Sequence, residues 1–297
     1  MKNTLIALHA QTSIHAGTGQ NTGTIDLPIQ RESHNGYPCI YGSGMKGALR
    51  SCAEQRGEQC GIDKEIIESL FGPESGGDGY AGALLISDAR LLLLPVRSLT
   101  SHYRWVTCPA ILQRLKQDAK RFDTTFDYSI PQPENNQAMV QKNNDSPAKL
   151  FLEEYCFTTK GEDFSALVTI LSAFIQYDEA ETLLQNQLTI VSDNDFSHLS
   201  KNTTPVRARN VLNTDTKTSE NLWYEETLPP ETIMYMGVSA DNARKKGSDM
   251  KSTDVLAKFK SLFTKDTPWL QVGGNETVGM GWFAVNFLQT DTKSGAE

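Results

Sequence analysis

The chain has 297 residues, 38% of them hydrophobic, with 36 acidic against 28 basic side chains and a net charge of −8. That length can bury a real core in one large domain or two ordinary ones. No apolar run approaches the roughly 20 residues of a membrane span, and the opening Met1-Lys2-Asn3-Thr4 has no signal-peptide architecture. Five cysteines, an odd count without a Cys-x-x-Cys pair, fit reduced cytoplasmic thiols better than a disulfide framework or a zinc site.

Residues 4–12 predict an opening strand, followed by a polar, glycine-rich loop from Ser13 to about Pro38. Met45, Ala48, Leu49, Cys52 and Ala53 recur at helical spacing and predict a helix over Gly44–Arg56, with Lys46 and Arg50 together on another face. A short helix over Lys64–Leu70 stops at Gly72-Pro73. Past the glycine tip at 76–79, apolar runs at 83–87 and 91–96 read as buried strands. Thr107 is placed to cap a helix with Pro109 in its first turn, running through Ile111, Leu112 and Leu115. Residues 122–149, rich in Asn, Gln and Pro, are expected to be a mobile insertion. Then come a strand at 150–157 and an apolar helix at 163–177. Val206–Leu212 and Asn221–Leu228 predict a hairpin around the polar tip 213–220. A strand at 232–239, a basic loop at 241–252, a helix at 253–263 and a closing strand at 281–288 complete the chain. Strands and helices without regular βα alternation, and without internal repeats, imply an α+β fold.

Between the last helix and the closing strand, four glycines fall within nine residues: Gly273, Gly274, Gly279 and Gly281. Backbone without Cβ can take positive φ and approach a ligand closely, and successive free N–H groups suit phosphate oxygens. The segment leads into a strand, not a helix, which argues against a dinucleotide fingerprint. It also lacks the Gly-Lys-Ser/Thr ending of a Walker A loop.

This Gly-Gly-x-x-Thr-x-Gly-x-Gly segment resembles the signature glycine loop of the RAMP proteins of CRISPR effector complexes. Three further segments point the same way and in the same order: 38–50 (Pro-Cys-Ile-Tyr-Gly-Ser-Gly-Met-Lys-Gly-Ala-Leu-Arg), 84–98 with 105–109 behind it, and 222–232 (Leu-Trp-Tyr-Glu-Glu-Thr-Leu-Pro-Pro-Glu-Thr). Together they look most like the repeated backbone subunit of type III-B (Cmr) complexes. The Trp-Tyr-Glu-Glu-x-Leu-Pro-Pro run favours III-B over the neighbouring III-A. The resemblance implies one domain over 1–297 with a ferredoxin-like (RRM-like) core. It also implies an insertion near 98–150, a protruding thumb hairpin near 205–228 and the glycine-rich loop at 271–283. The implied partners are guide RNA, single-stranded target RNA, further copies stacked head to tail and the other subunits of the complex, with no membrane involved. The implied activity is cleavage of guide-paired RNA at regular intervals.

Asp26 is the main catalytic candidate, as the only aspartate in the loop after the first strand, where backbone RAMP subunits carry their cleaving aspartate. A carboxylate ionised at neutral pH is a poor general base, so its use would lie in holding Mg²⁺ or Mn²⁺. The competing reading is an aspartate that satisfies turn N–H groups. His15 is a second catalytic candidate, able to take a proton from a ribose 2′-OH without metal. Glu225 and Glu226 either add a metal contact or face solvent. Ser43 and Gly44, at the head of a helix bearing Lys46 and Arg50, suit a phosphate of the guide backbone. Arg207 and Arg209, with Gly273, Gly274, Gly279 and Gly281, are further RNA-binding candidates. Val211 and Leu212 act as the thumb's wedge or as ordinary hairpin core. The negative total charge opposes nucleic-acid binding, but distribution outweighs the sum. Bases gather at Lys46/Arg50, at Arg90, Arg97 and Arg104, at Arg114–Arg121 and at Arg207/Arg209. Two alternatives share these residues: a non-catalytic RNA-binding scaffold, and a metal-independent endonuclease that processes guide RNA through His15.

Overall fold

The computed structural model describes residues 1–74, 79–142 and 148–288. The elements run β1 (Lys2–Ala10), β2 (Cys39–Ile40), α1 (Gly42–Arg56), α2 (Lys64–Phe71), β3 (Leu84–Ile86), β4 (Ala89–Arg97), β5 (Tyr103–Thr107) and α3 (Pro109–Arg121). They continue with β6 (Gln137–Gln141), β7 (Lys149–Leu152), β8 (Tyr155–Glu162), α4 (Ser165–Ser172), α5 (Ala180–Gln187), β9 (Leu188–Ile190) and α6 (Asp193–Asn202). The last third is β10 (Val206–Leu212), β11 (Ser219–Glu226), β12 (Ile233–Ala240), α7 (Ser252–Ser261), β13 (Trp269–Gln271) and β14 (Trp282–Phe287).

Most strands join one mixed sheet in the order β13-β14-β1-β12-β4-β5-β9-β6-β8-β7. Its antiparallel centre, β14-β1-β12-β4, with α1 following β1 and α7 following β12, is the βαββαβ arrangement of a ferredoxin-like core. The β1 side chains alternate between two hydrophobic cores. Leu5 and Ala7 join the core of α3, α4, α5 and α6, while Ile6, Leu8 and Ala10 join the core of α1, α2 and α7. Burial on both faces explains why β1 reads as an unbroken apolar run instead of an alternating one.

The segment between β4 and the hairpin departs from its sequence reading, and it is what covers the second face of the sheet. Residues 122–149, expected as a mobile insertion, supply β6, which pairs with β8 and β9, and bury Phe122, Thr124 and Tyr128. β5, α5, β9 and α6 are elements that the composition did not single out. The strand expected at 150–157 is a tight hairpin, β7–β8, and the helix expected at 163–177 ends at Ser172. Thr107 does not cap α3: its hydroxyl is buried without a partner among the described residues, and Asp193 of α6 supplies the oxygen that accepts from Ala110 N–H at 2.9 Å. Part of the glycine tip at 76–79 lies outside the described residues.

A polar lock closes the sheet where β1 ends. Gln176 N–H donates to His9 Nδ1 at 3.2 Å, so the ring proton lies on Nε2, which donates to Glu231 at 3.1 Å. Tyr177 and Tyr103 hydroxyls donate to the same carboxylate. Burial pushes the Glu231 carboxyl up, but the bonds from His9, Tyr177 and Tyr103 outweigh it and bring its pKa below the ordinary value. The five cysteines are free thiols, and no helix among the described residues is long and apolar enough to cross a membrane.

Candidate active site

β10 and β11 form a two-stranded sheet of their own that stands off the body, with solvent on both faces. Its tip is held by Asn213, whose side-chain oxygen accepts from Asp215 and Thr216 N–H. Val211 and Leu212, at a register irregularity beside the tip, are 44% and 53% exposed. They are therefore not the hairpin core that was the alternative reading. Arg207 and Arg209 sit opposite Glu225 and Trp223 across the hairpin.

The last residues of β11 gather the rest of the site. Tyr224 N–H donates to Asp26 Oδ2 at 2.7 Å, and Leu27 pairs beside Glu225, exchanging backbone bonds with Tyr224 and Glu226. The Asp26 loop is thus fastened to the base of the hairpin by a single parallel bridge at Leu27. Asp26 lines a cavity of about 450 Å³ with Gln20, Asn21, Thr22, Asn221 and Trp223. The Trp223 indole N–H has no acceptor among the described residues.

Next along β11, the Glu226 carbonyl accepts from His15 Nδ1 at 2.8 Å. A carbonyl can only accept, so Nδ1 carries a proton and Nε2 is the basic nitrogen of the neutral ring. Glu225 Oε1 lies 3.8 Å from the same Nδ1 and accepts from the Asn275 side chain. Glu225 and Glu226 are 2% and 3% exposed, so neither faces solvent as one sequence reading had it. Glu226 is structural: it accepts from Arg31 at 2.5 Å, Thr204 at 2.6 Å and Ile29 N–H at 3.0 Å.

The glycine loop packs on this assembly from the other side. Gly274 N–H donates to the His15 carbonyl at 2.9 Å, Gly281 N–H to Ser13 at 2.9 Å and Gly279 N–H to Glu276 at 2.9 Å. These amides have protein acceptors and are not the free row that the glycine spacing suggested. Glycine is required at 273 twice over: its φ is positive (90°), and a Cβ there would stand 2.3 Å from the His15 carbonyl oxygen.

At the head of α1, Gly42 N–H donates to Asp88 at 2.7 Å, so a carboxylate already holds the first amide of the helix. Ser43 and Gly44 are exposed and belong to the first turn, whose amides have no intrahelical acceptor. Arg50 is engaged elsewhere, donating to Glu54 and to the Gly72 carbonyl. Gln30 ties this helix to the site: its amide donates to the Gly17 carbonyl at 3.0 Å and its oxygen accepts from Tyr41 N–H at 2.6 Å. Ion pairs also hold Arg90 (to Asp118), Arg97 (to Glu153) and Arg114 (to Glu32). Among the described residues Lys46, Arg207 and Arg209 have no such partner, so the unpaired bases among the four RNA-binding candidates Lys46, Arg50, Arg207 and Arg209 lie at α1 and on the hairpin.

No three His, Cys, Asp or Glu side chains gather to hold a metal among the described residues. The residue types around Asp26 fit a hard cation shared with substrate: one carboxylate, with Gln20, Asn21 and Thr22 lining the same cavity.

The sequence pattern of the RAMP superfamily matches residues 7–284. The chain is 33% identical over 302 aligned residues to the CRISPR system Cmr endoribonuclease Cmr4 of Pyrococcus furiosus, covering 99% of each. It superimposes on the crystal structure of oligomeric Cmr4 from that organism with a TM-score of 0.72 at 28% identity, covering 97% of this chain and 98% of the other. A chain of the type III-B Cmr-beta complex bound to cognate target RNA shares the fold at a TM-score of 0.73 and 19% identity, with 97% of each covered.

Proposed function

This chain belongs to the RAMP superfamily, and from that premise we propose that it is the repeating backbone subunit of a type III-B CRISPR ribonucleoprotein. In that role it binds guide RNA and cuts guide-paired target RNA at regular intervals in the cytoplasm. The full-length identity to a Cmr endoribonuclease supports the activity. The likeness to an oligomeric relative supports stacking of copies, a head-to-tail contact that builds filaments instead of rings.

One observation carries the assignment of the cut to this subunit. Asp26, His15 and the glycine loop converge on three successive residues of β11, directly beneath an exposed hairpin with apolar residues at its tip. Val211 and Leu212 open the guide–target duplex at the hairpin, and Arg207, Arg209, Lys46 and the first turn of α1 hold phosphates. None of these groups reads bases, so sequence choice rests on RNA pairing, as in other RNA-guided systems.

Asp26 accepts from Tyr224 N–H through one oxygen, and its carboxylate, with Gln20, Asn21 or Thr22 in the same cavity wall, would hold Mg²⁺ or Mn²⁺. A divalent cation held there would supply charge neutralisation at the reacting phosphate and would acidify an attacking hydroxyl. The chain's own part is to fix the carboxylate by a backbone bond and to bring the scissile phosphate to it from the hairpin base.

The test is target-RNA cleavage by the guide-loaded complex, wild type against Asp26→Ala, with Mg²⁺ or EDTA, beside a binding assay. Loss of regular cuts both by Asp26→Ala in Mg²⁺ and by wild type in EDTA, with binding intact, is the expected result. Undiminished cutting by Asp26→Ala would leave this chain a scaffold. The bond from Tyr224 is also what a purely structural aspartate makes, and it is the observation that favours that second reading.

A further inference from the structure

Gly17 has nothing to do with a tight turn: its φ is not positive, and the three atoms nearest to a Cβ built on it all belong to one residue. That residue is His15, with Nε2 at 2.7 Å and Cε1 at 3.3 Å. Any side chain at 17 would therefore cover the one ring nitrogen of His15 that is not pinned. The opposite edge of the ring is fixed by the Glu226 carbonyl at Nδ1 and backed by Glu225. Glu225 is in turn held by Asn275, whose left-handed backbone (φ 64°) turns its side chain inward from the glycine loop. Gly274 leaves the Cδ2 edge in ordinary contact, at 3.5 Å from a built Cβ.

We propose that Gly17 and Asn275 are positioning residues that make His15 a proton-accepting group, Gly17 by leaving Nε2 uncovered and Asn275 by holding Glu225 against the Nδ1 edge. This rests on the reading of the chain as an RNA-cleaving subunit and deepens it. The His15 side chain is 11% exposed, with Nδ1 on the Glu226 carbonyl and Cδ2 against Gly274, so a Cβ at 17 would add bulk at the remaining edge of the ring. The charged group facing the ring is Glu225, since the Glu226 carboxylate is turned to Arg31, Thr204 and Ile29. With Nδ1 committed to the Glu226 carbonyl, Nε2 is the nitrogen that can take a proton. The glycine loop is then a support for His15 instead of a phosphate cradle.

The experiment pairs two readouts on Gly17→Ala and Asn275→Gly, the latter keeping the left-handed backbone while removing the side chain. Gly23→Ala serves as control, because a Cβ there makes only ordinary contact with Asn21. Ring ¹⁵N shifts of His15 in the full chain should report Nδ1–H as the neutral tautomer. Gly17→Ala should lower its titration midpoint by hindering solvation of the protonated Nε2, while Gly23→Ala leaves it unchanged. In the guide-loaded complex, Gly17→Ala and Asn275→Gly should each slow cleavage about 10-fold or more with RNA affinity retained. The acid limb of the pH–rate profile should move with the His15 midpoint. A His15 titration and a pH–rate profile both unmoved by Gly17→Ala overturn the inference. Retained cleavage by Asp26→Ala would instead overturn the Asp26 assignment, and the ring measurements would still stand or fall alone.

Discussion

Asp26 and Tyr224 lie 198 residues apart in the chain and meet through a 2.7 Å bond from the Tyr224 amide to the Asp26 carboxylate. The bond asks only for an acceptor oxygen, which asparagine also offers. Asp26→Asn is therefore expected to keep the hairpin base intact, with stability within about 0.5 kcal/mol of wild type. Cleavage by the assembled complex should fall by roughly 100-fold or more, measured by single-turnover kinetics at saturating guide.

Lys46 and Arg50 share a helix but not a task. Arg50 is tied to Glu54 and the Gly72 carbonyl, whereas Lys46 has no partner among the described residues. Lys46→Ala should weaken guide binding uniformly across sequences and reduce the salt slope of log K by about one. Arg50→Ala should lower the melting temperature and leave that slope nearly unchanged.

Glu226 and Arg31 fasten the loop between β1 and β2 to the foot of the hairpin. Removing Glu226 leaves the partly buried Arg31 with only the neutral acceptors Gly36, Ser200 and Thr204. Glu226→Ala is thus expected to cost about 3–5 kcal/mol in denaturant unfolding. An Arg31→Met/Glu226→Met double variant should lose less than the sum of the single changes.

Gly237 on β12 lies beneath Phe122, where an added Cβ would overlap the ring at 1.9 Å. Gly237→Ala should destabilise by about 1–3 kcal/mol. Trimming the ring in a Phe122→Ala background should make the same change nearly neutral, a coupling that a double-mutant cycle measures directly.

Glu231, with its pKa held below the ordinary value by its donors, contributes stability that is present above its unfolded pKa. That contribution is lost as pH falls through the folded pKa. Melting temperature should therefore drop on acidification below about pH 4.5, and Glu231→Gln should flatten that part of the profile. A profile unchanged by Glu231→Gln would assign the acid sensitivity to other carboxylates.

The sequence alone carried the features that depend on local pattern. The Met45–Leu49–Cys52–Ala53 face of α1, the two arms of the hairpin, the buried run of β1 and the glycine loop each follow from spacing that one element decides for itself. The order of four motifs brought Asp26 and His15 into view before any contact was known. What pattern could not give was pairing across distance. β5, β6 and β9 are short strands whose apolar residues fit a helix or a loop equally well until the sheet claims them, and the cap of α3 comes from Asp193 on α6. The burial of Glu225 and Glu226 was hidden for the same reason. A charged residue is stable inside only where its partners arrive from elsewhere, and Asn275, Arg31 and Thr204 come from three separate segments. Gly17 carried no signal in sequence, because a glycine in a polar loop has meaning only through what its missing side chain leaves uncovered. Tertiary packing decided that the uncovered atom is His15 Nε2.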